Sequence, residues 1–237
     1  MIAPYGLKIL ENCVSCPVKT KRPFCNLPPQ PTQRLHEIKS TAVYSKGTML
    51  FIEGQQPRGV FVLCMGKAKL STSSREGKTI ITRIADAGDV LGLNGTISNV
   101  PYEVTAEMLE PSQANFIPRE PLIQMMAEFP EVALRIAQQL SRNYFAAHEE
   151  IRALGLAAPS ERFAKLLLQW SIRNTQNDGP SQIRLTLTHE EIAEVIGTTR
   201  ETVSRLFADF KKRQLLHVRG GTLVVHSRFA LEQMVQS

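Results

Sequence analysis

The sequence predicts an α+β chain: an antiparallel β domain, one long helix, then a winged helix-turn-helix at the C-terminus. Three observations predict it. Residues 42–118 hold short β-branched and aromatic runs parted by glycines. Residues 132–154 carry an apolar stripe of helical period. Residues 185–226 read as two short helices followed by a hairpin. The expected division is a cysteine-containing arm at 1–32, a β domain at 33–128, a long helix at 129–156 and a winged helix at 157–237.

At 237 residues the chain fits one large or two modest domains. An apolar fraction of 43% supports buried cores, and a charged fraction of 21% excludes a disordered polyelectrolyte. A net charge of +6 and a pI near 9.3 permit nucleic-acid binding without demonstrating it. No apolar run reaches the ~18 residues of a membrane span. The N-terminus, MIAPYGLKILENC, lacks the basic-then-apolar pattern of a secretory signal. The expectation is a cytoplasmic protein with no membrane partner, whose cysteines are reduced, metal-bound or redox-active.

The arm carries Cys13, Cys16 and Cys25 among Pro4, Pro17, Pro23, Pro28, Pro29 and Pro31, a density that argues against a regular helix or central strand. The runs TMLFIEG (48–54), GVFVLCMG (59–66), KAKLSTSS (67–74), KTIITRIA (78–85), YEVTAEML (102–109) and QANFIP (113–118) then read as strands. Short strands so spaced indicate an antiparallel sandwich, jelly roll or barrel. From Glu120 the pattern becomes helical, and Val132, Ile136, Leu140, Asn143, Ala147, Ile151 and Leu154 step by three or four. Two readings are open: a helix packed on its own β domain, or a parallel two-helix seam with charged flanks such as Arg142, Glu149 and Arg152. Ala157-Ala158-Pro159-Ser160 reads as a hinge with Ser160 capping a helix over 161–173, and 174–181 reads as a polar loop.

The stretch LTLTHEEIAEVIGTTRETVSRLFADFKKRQLL (185–216) carries the functional signal. Thr188 caps a first helix whose buried face is Ile192, Val195 and Ile196, and Gly197 ends it. Thr198 or Thr199 caps a second helix, with Val203, Leu206 and Phe210 inward and Arg200, Glu201, Ser204 and Arg205 outward. Arginine donates twice to guanine, glutamate accepts from cytosine, and serine serves either role, so these four are assigned to base edges. Thr188, Thr199, Thr202 and Lys211 are assigned to phosphate. Six basic residues against two acidic ones over 200–219 favour a polyanion. The β runs around Gly220-Gly221 complete a wing.

These residues resemble the CRP/FNR family of transcription regulators over nearly the whole chain. The matches are GTMLFIEGQQPRGVFVLCMGKAKLS, AGDVLGL, PSERFAKLLL, LTHEEIAEVIGTTRETVSRLFADF and the RGGTLVV wing. The resemblance implies a cyclic-nucleotide-binding-like β-roll and a homodimer built on the 132–154 helix. It also implies double-stranded DNA and RNA polymerase as partners, and an imperfect palindrome read by Arg200, Glu201, Ser204 and Arg205. Half-sites containing TGA are expected.

Cyclic-nucleotide binders of the family carry Gly-Glu and Arg-Ser around their phosphate pocket, where this chain has Gly92-Leu93 and Tyr102-Glu103 or its neighbours. A buried phosphate without its arginine is poorly compensated, so no cyclic-AMP response is expected. FNR-type sensors hold an iron–sulfur cluster through an N-terminal cysteine group and one distant cysteine. Cys13-x2-Cys16-x8-Cys25 resembles the group with a longer last gap, but the distant position falls near Asn115, leaving Cys64 as the candidate fourth ligand. A [4Fe-4S] cluster is expected there, with a four-cysteine zinc site and a metal-free dithiol as rivals. A small ligand in the β-roll is a further alternative. An enzyme is the reading of another class, and no Ser-His-Asp order, HExxH, Walker loop or carboxylate pair supports it.

Overall fold

The computed structural model describes residues 4–174, 181–184 and 187–236, in two compact units, Met1–Ala147 and His148–Ser237. In the first unit the arm contains two 3₁₀ turns, Pro4–Gly6 and Lys19–Lys21, before α1 (Pro29–Ile38). This corrects the expectation that prolines keep the arm irregular as far as residue 32. Pro29 and Pro31 fall in the first turn of α1, where a missing N–H costs nothing because the helix has no acceptor for it.

Eight strands follow: β1 (Ser40–Tyr44), β2 (Met49–Phe51), β3 (Gly59–Met65), β4 (Lys67–Ser73), β5 (Thr79–Asp86), β6 (Val90–Leu91), then, beyond α2 (Leu93–Ser98), β7 (Thr105–Met108) and β8 (Ser112–Pro118). They form two antiparallel sheets, ordered β1-β8-β3-β6 and β2-β7-β4-β5. All six expected strands are present; β1 and the two-residue β6 are additional. Gly66 turns β3 into β4 at φ 88°, a left-handed conformation that a side chain at this crowded turn resists. One core cluster, Phe24, Leu27, Leu35, Val60, Val62, Val90, Leu93 and Ile117 among its members, joins the arm and α1 to one face of β3 and β8. A second lies between the sheets around Phe51, Leu63, Leu91, Tyr102 and Met108.

The helical stretch from residue 119 is interrupted once. Helix α3 (Arg119–Glu128) stops before Pro130, which opens α4 (Pro130–Leu156). The seven-residue stripe on α4 is not one surface. Val132 and Ile136 are buried in the core of their own domain, and Leu140 packs partly against it. Asn143 accepts hydrogen bonds from Arg83 (3.0 Å) and Gln139 (3.0 Å). The expected assignment of Val132 and Ile136 to a partner seam is corrected accordingly, because the first turns of α4 serve the β domain, while Asn143 stays half-exposed. Further along, Tyr144 (62% exposed), Phe145 (66%), Ala147 and Ile151 (69%) face outward.

The second unit holds α5 (Pro159–Asn174), β9 (Ser181–Arg184), α6 (His189–Ile196), α7 (Arg200–Lys212), β10 (Leu216–Arg219), β11 (Thr222–Val225) and α8 (Arg228–Gln236). Because α5 begins at Pro159, Ser160 lies inside its first turn instead of capping it. Most of the expected 174–181 loop and the first two residues of the 185–216 stretch lie outside the described residues. The small sheet runs β10-β11-β9, with Gly220 (φ 56°) and Gly221 (φ 75°) turning the hairpin. Helix α8, which carries no strong sequence signal, packs on α5 through buried Leu231. Among the described residues no helix is long and apolar enough to cross a membrane.

Candidate nucleic-acid interface and cysteine cleft

Helix α6 is fixed at both ends by local chemistry. Thr188 and Glu191 form a reciprocal capping box: the Glu191 N–H donates to Thr188 Oγ1 (3.2 Å) and the Thr188 N–H donates to the Glu191 carboxylate (2.9 Å). Gly197 ends the helix at φ 61°, ψ 49°, its N–H returning to the Ala193 carbonyl. A Cβ at Gly197 would also run into the Leu154 side chain, so Leu154, read as a seam residue, also packs on this turn. Thr199 caps α7 by accepting from the Thr202 N–H (3.3 Å).

The buried seam of α7 is Val203, Phe207 and Phe210. Phe207 replaces the expected Leu206, which is half-buried, and on α6 Ala193 replaces Val195. The opposite face presents Arg200, Glu201, Ser204 and Arg205, all exposed, with Thr188, Thr199 and Lys211 exposed and Thr202 half-buried. Arg205 donates to Thr202 Oγ1 (3.3 Å). The Glu201 carboxyl is held below its usual range by its own backbone N–H and the Thr199 hydroxyl. Ser204 Oγ stands 3.1 Å from His189 Nδ1, and the His189 ring stacks on Phe207.

Arg162, on α5, carried no signal of its own in the sequence. Its guanidinium donates to the carbonyls of Ile196 (2.7 Å), Gly197 (3.3 Å), Ala157 (2.7 Å), Leu154 (3.2 Å) and Ala153 (3.5 Å). It thus closes the C-terminal carbonyls of α4 and of α6 with one planar fork.

In the first unit, Cys13, Cys16, Cys25 and Cys64 line one cleft, although 39 positions of sequence separate the last two. Leu10, Leu35 and Val62 supply apolar walls; Lys19 and Arg22 supply positive charge. Strands β3 and β8 run antiparallel with Val62 opposite Asn115, and the register slips between Leu63 and Met65. Cys64 sits at that irregularity, the kind of local bulge that re-aims a side chain. Asn115 Nδ2 points to Cys13 Sγ (3.8 Å) while its Oδ1 accepts from Thr41. Arg22 is buried against Gly88 and donates to the Cys64 carbonyl, pinning the arm to β3.

Desolvation pushes the Cys25 thiol up to about 12, with Cys64, Cys13 and Cys16 adding to the rise and Arg22 opposing it. Burial likewise takes Cys64 to about 11 against the pull of Arg22, and raises Cys13 against that of Lys39. The cleft therefore favours neutral thiols until a cation arrives, and loading one releases protons. Among the described residues no three Cys, His, Asp or Glu side chains gather as closely as a single metal ion requires.

At the β-roll, Gly92 adopts φ 77° and Leu93 is buried in the core. The Tyr102 ring fills the space beside Gly92, where an added Cβ would come within 2.7 Å of it. Tyr102 stacks on Phe51 (4.1 Å between centroids) and its hydroxyl donates to the Gly59 carbonyl (2.6 Å).

A two-sheet roll, a long helix and a winged helix-turn-helix together have the architecture of a DNA-binding transcription regulator. Known proteins agree. Residues 41–129 match the cyclic nucleotide-binding domain and 161–234 the Crp-like helix-turn-helix domain. The chain is 30% identical over 190 residues to the fumarate and nitrate reduction regulatory protein of Yersinia pestis, covering 80% of this chain and 76% of the relative. It is 26% identical over 183 residues to the CRP-like cAMP-activated global transcriptional regulator of Mycobacterium tuberculosis, covering 77% and 82%. FixK2 from Bradyrhizobium japonicum shares the fold, with a TM-score of 0.76 at 21% identity over 83% of this chain and 97% of that one. The chain belongs to the CRP/FNR family of DNA-binding transcription regulators. Its relatives are regulators, not enzymes.

Proposed function

We propose that this regulator acts as a homodimer and reports oxygen or redox state through a [4Fe-4S] cluster held by Cys13, Cys16, Cys25 and Cys64. The observation that carries the reading is the convergence of these four cysteines, from an arm and a strand, on one cleft. The donor set fits the group: thiolates suit iron–sulfur chemistry, and Arg22 and Lys19 offset the negative charge of a thiolate cluster. A tetrahedral zinc ion with Zn–S of about 2.3 Å needs sulfurs about 3.8 Å apart, closer than a polynuclear cluster does. Iron and sulfide analysis distinguishes such a zinc site from the cluster. The cluster supplies an oxidisable, oxygen-labile group. The chain's own residues hold it, screen it with Leu10, Leu35 and Val62, and respond to its loss.

A contiguous route for that response runs inside the first unit. Arg22 donates to the Cys64 carbonyl, and the Gly88 N–H to the Leu63 carbonyl (2.7 Å). Arg83 pairs with Asp89 (3.9 Å) and donates to Asn143 on α4. The second copy docks along half-buried Leu140 and exposed Tyr144, Ala147 and Ile151, which keep a four-three-four spacing on α4. Two states with different cluster affinity are required for control. The aromatic filling beside Gly92 supports a sensor that does not answer to cyclic AMP.

At the DNA, Arg200, Glu201, Ser204 and Arg205 read bases of a palindrome with TGA-containing half-sites, while Thr188, Thr199, Thr202 and Lys211 hold phosphates. RNA polymerase is the partner at the promoter. Replacing Arg205 by alanine is expected to cost about 1–3 kcal/mol of operator binding and to relax base preference at one position. Replacing Lys211 weakens all sequences alike and lowers the salt dependence by about one phosphate. Competition binding over a set of single-base operator variants measures both. Equal losses on every sequence for Arg205 would remove it from the base-reading set.

A further inference from the structure

We infer that His189, outside the base-reading face itself, sets the specificity of that face by orienting the hydroxyl of Ser204. This rests on the reading of Ser204 as a base contact and adds what kind of base edge it takes.

A serine hydroxyl on an exposed helix face turns freely and serves donor and acceptor edges alike, which gives little discrimination. Here it is not free. Ser204 Oγ lies 3.1 Å from His189 Nδ1, the first residue of α6 meeting the middle of α7. The imidazole is itself held in place: its ring lies nearly parallel to Phe207, 7° between planes and 4.6 Å between centroids. Phe207 is buried and packs edge-on against Phe163 of α5, 4.9 Å away. A ladder of three rings, Phe163, Phe207 and His189, therefore carries the position of the hydrophobic core out to one hydroxyl on the DNA-facing side. The capping box at Thr188 and Glu191 fixes the backbone from which the imidazole projects.

With the ring taken as the neutral tautomer protonated at Nε2, the Ser204 hydroxyl gives its single proton to Nδ1. Its oxygen then offers only lone pairs outward, an acceptor for the amino groups of adenine or cytosine and a poor match for the keto oxygens of guanine or thymine. His189 thus converts an ambiguous contact into a directed one at one position of each half-site.

The test is competition binding of the full-length protein to operators carrying each base at each half-site position, for wild type, His189→Ala, His189→Phe, His189→Asn and Ser204→Ala. His189→Ala is expected to lower discrimination between amino and keto bases at the Ser204 position by about three- to tenfold, the worth of one hydrogen bond, with the other positions unchanged. His189→Phe keeps a ring to stack on Phe207 and loses the nitrogen, so it matches His189→Ala while retaining the fold. His189→Asn, whose amide oxygen replaces Nδ1 as acceptor, recovers most of the discrimination. An equal loss on every sequence for His189→Ala and His189→Phe, while Ser204→Ala alters one position, overturns the role of His189 alone. Unchanged preference in Ser204→Ala overturns the base-reading role of Ser204 and this inference with it.

Discussion

Replacing Cys64 by serine is expected to cut the iron retained by anaerobically prepared protein from about four atoms per chain to below one. Operator affinity should fall with it by roughly tenfold, inside the 5–150-fold range of ordinary allosteric coupling. A serine oxygen is a harder, weaker donor to iron than a thiolate. The side chain is buried, so lost ligation is not made good by solvent, and the substitution is nearly isosteric, so the fold should survive. A hydroxyl can also use the Val62 carbonyl that Cys64 Sγ now faces at 3.6 Å. The geometry supplies a rescue. Asn115 lines the same cleft, stands opposite Val62 on the neighbouring strand and reaches Cys13 Sγ. Adding Asn115→Cys to Cys64→Ser should restore iron and affinity together. Iron analysis and operator titration measure both variants, and full iron in Cys64→Ser alone would remove Cys64 from the ligand set.

Replacing Arg162 by alanine is expected to lower the local opening free energy of α6 by about 3 kcal/mol, because one removal deprives several carbonyls of charge-assisted partners worth about 1.5–3 kcal/mol each, non-additively. The affected carbonyls, Ile196 and Gly197 on one side and Leu154 and Ala157 on the other, close two helix ends that have no further intrahelical donors. Leu154 packs on Gly197 at the same place, so the turn between α6 and α7 loses polar and apolar support together. Arg162→Lys should recover less than half, since an ammonium cannot span both groups of carbonyls as a planar fork does. Hydrogen exchange at the α6 amides reads the effect. A lysine variant equal to wild type would show that charge alone suffices.

The DNA-reading half was legible because its signals are local. Caps, a glycine stop and a 3.6-residue period fix α6 and α7 from neighbouring residues alone. Six of the roll's strands were legible along the chain for the same reason, since glycines and β-branched runs punctuate them. What escaped depends on long-range partners. Whether Val132 faces a second copy or its own β domain is decided by Phe24, Leu35 and Val60, which lie far away in sequence. Phe207 outranks Leu206 as a core residue because Phe163 waits for it on α5. Helix α1 was hidden by prolines whose cost vanishes in a first turn. Arg162 looks like any surface arginine until five carbonyls converge on it. The cleft was half legible: three cysteines cluster in the arm, and Cys64 joins them through the pairing of β3 with β8.

The most direct test of cluster-controlled DNA binding is the operator affinity of one anaerobically purified sample, measured before and after admission of air, with iron and sulfide content and visible absorption followed in parallel. Loss of the absorption band accompanied by a fall in affinity of roughly tenfold or more, with Cys13→Ser protein weak from the start and indifferent to air, is the predicted result. A colourless, iron-free protein that binds its operator tightly under both atmospheres would contradict it.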